Sequence, residues 1–197
     1  MRMITVDEDR RVTREQGLML QAVGCVVTNS QATYVSGPIT TGNRFSAWYA
    51  STGRNFVMGS QEYLLRLTSD VIQPNEKAIH RVASAIRERS SVPVIEPASL
   101  AVPDWSQQEY LSFWLRIIQK FVSTIVLVSG WEFSVGCATE FRCASRLGLP
   151  ILDELGNCVG SQQGEALITA AATRIEQIAE GAAPLIQLAQ VLRNHRI

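Results

Sequence analysis

The sequence predicts an open, doubly wound α/β fold, with a mostly parallel sheet between two helical layers. Three observations predict it. The run Ile125-Val126-Leu127-Val128 is apolar at every position, as in strands covered by helices on both faces. Apolar strand-like runs alternate along the chain with segments of helical periodicity. The chain has 197 residues, 46% of them apolar, which suffices for one ordinary core.

The elements follow in order. Residues 1–30 read as an N-terminal extension carrying a short helix from Thr13 to Val23, closed near Gly24. Ala32 to Ser36 is the first strand, stopped at once by Gly37-Pro38. Residues 41–60, with three glycines and four aromatics, read as a long irregular loop holding a helical piece. Pro74-Asn75 opens a helix to about Ser90, whose Ile79, Val82, Ala83 and Ile86 share one face. Val92 to Ile95 is a short strand before Glu96-Pro97, and the next helix starts near Pro103–Ser106 and runs to Phe121. Ser123 to Ser129 is the clearest strand, Ser134 to Leu147 a helix and Pro150 to Leu152 a last strand. Helices Gly164 to Gly181 and Leu185 to Val191 finish the chain. The expected division is an extension (1–30), an α/β domain (31–160) and C-terminal helices (161–197) packed on that domain or on a partner subunit.

Composition excludes several functions. Eighteen basic residues balance eighteen acidic ones with no Lys/Arg block, which argues against nucleic acid or an anionic membrane as partner. The longest strongly apolar stretch, Phe121 to Val128, is far short of the ~20 residues of a membrane helix. No CxxC pair occurs among Cys25, Cys137, Cys143 and Cys158, and no apolar leader opens the chain, so reduced thiols and a cytoplasmic location are expected. Two widely separated histidines, His80 and His195, argue against a histidine metal site or triad.

In open α/β sheets the ligand sits beyond the carboxyl ends of the strands. Three such ends stand out: Ser36-Gly37-Pro38, Glu96-Pro97 and Ser129-Gly130-Trp131. After the third, Ser134 stands as the N-cap of a helix, whose uncapped amides and dipole suit an anion. Glu140 follows six residues later and leans back over Gly136, which has no side chain to fill the space above it. An anion cradle and a carboxylate roughly one and a half turns further along would together span the phosphate and sugar carbon of one nucleotide.

At these residues the chain resembles the nucleoside 2-deoxyribosyltransferase-like superfamily, including its 2′-deoxynucleoside 5′-phosphate N-hydrolases, which have a flavodoxin- or Rossmann-like α/β/α fold. One segment is Tyr34-Val35-Ser36-Gly37-Pro38-Ile39-Thr40-Thr41-Gly42-Asn43-Arg44, similar to the family's opening strand and sugar/phosphate loop. The other is Gly130-Trp131-Glu132-Phe133-Ser134-Val135-Gly136-Cys137-Ala138-Thr139-Glu140, similar to its GW-x-x-S-x-G-x-x-x-E block. The resemblance spans about residues 32–155 and implies a glycosidase or transferase acting on a nucleoside or its 5′-monophosphate. Glu140 would be the nucleophile at the anomeric carbon and Ser134 would hold the 5′-phosphate. Tyr34, Ser36, Gly37, Pro38, Ile39 and Gly42 would line sugar and phosphate, with Arg44 a phosphate partner and Gly130, Trp131 and Gly136 completing the wall. No metal or cofactor is implied, and a homodimer or larger homo-oligomer is.

The sequence departs from the family where two aspartates usually stand, at the positions of Leu115 and Ser123. Glu96, at a strand end, is the first candidate for the missing acid, ahead of Asp104, Glu109 and Glu132. Trp48 and Tyr49 are candidates for stacking on a base, whereas Trp114 reads as core or interface and Cys137 and Cys143 as buried thiols. The alternative is a catalytically weak or inactive nucleotide-binding protein on the same fold.

Overall fold

The computed structural model describes residues 6–27 and 31–194; for residues 6–13 only the backbone is described. The outer ends of the N-terminal extension, and His195 in the last residues, lie outside the described residues.

Four strands form one all-parallel sheet: β1 (Ala32–Ser36), β2 (Val94–Ile95), β3 (Val122–Leu127) and β4 (Ile151–Asp153), in the order β2-β1-β3-β4. Tyr34, Val35 and Ser36 stand opposite Ile125, Val126 and Leu127. Because side chains alternate across a strand, this register sorts the residues cleanly onto two faces. Val35, Val126 and Val128 pack with Ile79, Val82 and Ala83 of the helix crossing that face. Tyr34, Ile125 and Leu127 belong to the larger cluster on the other face. The fold is the three-layer α/β/α arrangement that the sequence implies.

The region between β1 and β2 is more helical than expected. Its first piece, α2 (Asn43–Ser51), is followed by a single 3-10 turn. A continuous helical path then runs through α3 (Gln61–Leu67), a wide π-helical turn at Thr68–Ile72, and α4 (Gln73–Arg87). Pro74 therefore does not open the helix but sits in its course. Proline offers no N–H for the ladder and its ring crowds the preceding turn, and a π turn relieves that conflict. Strand β2 is shorter than the Val92–Ile95 expectation because Pro93 cannot donate; its carbonyl accepts from Thr33 instead, at 2.9 Å.

The second helical layer holds α5 (Gln107–Phe121), α6 (Val135–Arg146), α7 (Ser161–Ala179) and α8 (Ala183–Asn194). Ser106 and Glu109 make a reciprocal capping box at the start of α5. Ser106→Ala is expected to lower stability by about 1 kcal/mol in urea denaturation, with no effect on ligand binding.

The N-terminal helix, α1 (Val6–Val26), is longer than Thr13 to Val23 and lies on α5: Gln16 donates to the Glu109 carbonyl at 3.1 Å, and Trp105 Nε1 donates to Glu15 at 3.3 Å. The last two helices pack on the domain itself, with Leu185, Ala189 and Leu192 fully buried. Among the described residues no helix is long and apolar enough to cross a membrane.

Candidate functional site

The carboxyl ends of β1 and β3 meet at the centre of the sheet. Here β1 leads to a neighbour on one side while β3 lies on the other, which makes this the switch point of the topology. The turn after β1 closes tightly: Gly37 lies against Ile79 and Val128, and Gly42 has φ +94° with Pro38 so close that a Cβ would meet its ring at 2.6 Å. Gly130 after β3 also has positive φ, +84°, and a Cβ there would strike the Asn43 side chain. Only glycine serves at either position.

Glu140 is buried, with 7% of its surface exposed. Strand alternation puts Tyr34 and Ser36 on the face that looks toward α6, and both reach it. The Tyr34 hydroxyl donates to Oε1 at 2.8 Å and the Ser36 hydroxyl to Oε2 at 2.6 Å. Burial pushes the Glu140 carboxyl up to about 7, against the two hydroxyls that hold it down. The same burial drives the Tyr34 hydroxyl well above its usual range, with the Glu140 charge adding to it. Beside them the Cys137 thiol is pushed up to about 12, first by burial and then by Glu140, so it stays protonated.

Ser134 is at the N-cap position of α6, but its hydroxyl does not cap the helix. It accepts instead from Thr41 Oγ1 at 3.0 Å, which ties the β1 turn to the start of α6. The first amides of the helix thus have no side-chain cap, and the space over Gly136 is open: a Cβ there would meet nothing nearer than Ser134 Oγ at 3.9 Å. Tyr34, Ser36, Ser134, Gly136 and Glu140 are gathered at one end of the sheet.

Other candidates stand elsewhere. Glu96 is ion-paired with Arg87 at 3.1 Å and bonded to His80 and Ser99. Burial raises its carboxyl, but Ser99, His80 and Arg87 outweigh it and hold the group below its usual range. These contacts tie Glu96 to His80 and Arg87 of α4, and a carboxylate held ionised is a poor proton donor. Glu109 is the cap of α5. The Glu132 carboxyl is shifted upward by burial in the turn before α6.

The aromatic candidates are core. Trp48 and Tyr49 are buried, and Trp48 stacks edge-on against Tyr63 of α3 while donating to Asp70 at 3.2 Å. Neither has a face for a base. Trp131 is likewise buried against Phe141, with ring centroids 4.9 Å apart. Trp114 stands edge-on to Tyr34 and holds that ring in place.

Asn75 was missed in the sequence. It is 5% exposed; its amide donates to the Ile39 and Thr41 carbonyls, and its Oδ1 accepts from Arg44 Nε at 3.1 Å. It pins the turn after β1 to α4. An asparagine three residues into a helix carries no sequence signal of such a long-range role.

No curated protein and no solved structure matches the chain. The family described as a domain of unknown function (DUF4406) matches residues 63–153, less than half of the sequence. That stretch contains Ser134 and Glu140 and stops short of Tyr34 and Ser36, so the likeness covers the second half of the site alone.

Proposed function

We propose that the protein cleaves or transfers the N-glycosidic bond of a nucleoside 5′-monophosphate, or of the nucleoside, with Glu140 as nucleophile. The observation that carries this reading is the buried Glu140 carboxylate, oriented by Tyr34 and Ser36 and standing near uncapped helix amides. Each carboxylate oxygen accepts one hydrogen bond, which leaves a lone pair for attack on the anomeric carbon. The C–N bond breaks with its electron pair going to the base, which takes up a proton. Water or a second base then displaces Glu140 from the sugar and restores the carboxylate. The amides at the start of α6 suit the 5′-phosphate.

The test is free-base release from a panel of nucleosides and nucleoside 5′-monophosphates, followed chromatographically. Release is expected from monophosphates first, and Glu140→Ala should abolish it. A panel with no release, in wild type and variant alike, would reject the reading.

A second reading, nucleotide binding without turnover, is favoured by the two positions that lack an acid. Leu115 is apolar, and Ser123 spends its hydroxyl on the Ala32 carbonyl at 3.3 Å. Saturable nucleotide binding without base release would select it.

A further inference from the structure

A second constellation lies across the β1 turn from Glu140. A cavity of about 260 Å³ opens at the switch point, between α4 and the ends of β1, β3 and β4. Its wall contains Asn43 and Arg44 from α2, Asn75 and Arg81 from α4, Ser129 after β3 and Glu154 after β4. Two guanidinium groups face one carboxylate, so the local charge is positive in a chain whose overall charge is zero.

Arg44 is held at Nε by the buried Asn75, so its fork is fixed before any ligand arrives. Arg81 makes no ion pair among the described residues, and Glu154 Oε2 is buried without a hydrogen-bond partner. Arg81 and Glu154 thus line the same cavity without pairing with each other. The buried Glu154 oxygen without a partner, in a concave wall shared with two guanidinium groups, calls for a donor that the described residues do not supply.

We infer that this cavity binds a phosphoryl group between Arg44 and Arg81, as a site separate from the α6 amides near Glu140. A planar carboxylate is satisfied by one guanidinium fork, whereas a tetrahedral phosphoryl group offers oxygens to two forks and to the Asn43 amide. Glu154 tunes the site against excess negative charge, and it accepts from a protonated phosphate oxygen or from a neighbouring hydroxyl of the ligand. The site does not depend on Glu140 being catalytic.

The probe is inorganic phosphate, titrated at pH 7.5 and constant ionic strength against thermal unfolding, with chloride as the balancing anion and acetate as a second titrant. A saturable rise of the transition temperature with phosphate is expected, and a much weaker one with acetate. Arg81→Gln should weaken the apparent phosphate affinity roughly tenfold or more. Arg81 is exposed, so this variant is expected to fold. Glu154→Gln should change affinity in the opposite direction, binding phosphate several-fold tighter, which a purely structural role would not produce. Phosphate affinity that is equal in wild type and Arg81→Gln overturns the site. So does an affinity lost in Ser134→Ala and kept in Arg81→Gln, which assigns the anion to α6. Acetate binding as tight as phosphate overturns the phosphoryl assignment.

Discussion

Glu140→Gln is expected to lower base release by at least roughly 10³-fold while making the protein more stable at pH 8. The two effects share one cause. Burial raises the carboxyl from 4.5 to about 7, so the folded protein resists ionisation that the unfolded chain accepts freely. Below about pH 4.5 both states hold the proton and no penalty exists. As pH rises toward 7 the unfolded state loses its proton first, and stability falls; above 7 the penalty is complete, at about 3 kcal/mol. Glutamine keeps the shape and never ionises. Its advantage in urea denaturation should therefore be near zero at pH 4.5 and grow to its full size by pH 8. A difference that does not change with pH would show that position 140 is not the buried acid described.

The same ionisation governs catalysis. Base release needs the carboxylate, so kcat/KM should fall on the acid side of about pH 7. Tyr34→Phe removes one of the two hydroxyls that favour the ionised form while keeping the ring against Trp114. Its acid limb should move to higher pH.

Gly164→Ala is expected to destabilise the protein strongly, against helix propensity. At an exposed helical position this change gains about 1 kcal/mol. Here a Cβ would collide with Phe141 at Cζ, far inside van der Waals contact. Phe141 is 1% exposed and backed by Trp131, so it has nowhere to go. Overpacking of this kind costs ~1–3 kcal/mol, and the transition temperature should drop by about 2–4 °C for each of them. Phe141→Leu in the same chain should recover part of the loss, a non-additivity that identifies the contact. Phe141 follows Glu140 directly, so the single variant should also lose ligand binding.

The architecture was legible because its signals are local. The apolar run of β3 declared a strand covered on both faces, and α4, α5 and α6 carry the expected periodicity. What escaped depends on distance. Trp48 and Tyr49 look like ligand platforms after a Gly-Pro turn, and only the folded chain brings Tyr63 against them. Pro74 reads as a helix start, because a π turn that lets helix precede proline has no residue signature. For the site, Ser134 and Glu140 were visible as a spacing on one helix. Strand parity alone aligns Tyr34 with Ser36, but their meeting with Glu140, more than a hundred residues away, is a property of the β1/β3 register. The position of Glu96 at a strand end says nothing of Arg87, His80 and Ser99 gathering round it.

Arg142 gives the chain's last two helices more weight than their place at the end suggests. It lies two residues after Glu140, largely buried, with its guanidinium bonded to Glu165 of α7 at 2.7 Å and to the Leu192 carbonyl of α8 at 3.4 Å. Removing the Glu165 carboxylate while the cation stays buried would cost ~3–5 kcal/mol. Trimming the protein back to its sheet and central helices would remove both partners of that charge and uncover the helix that carries Glu140. The terminal pair therefore acts as the keel of the reactive end, and a minimal version of this protein has to retain it.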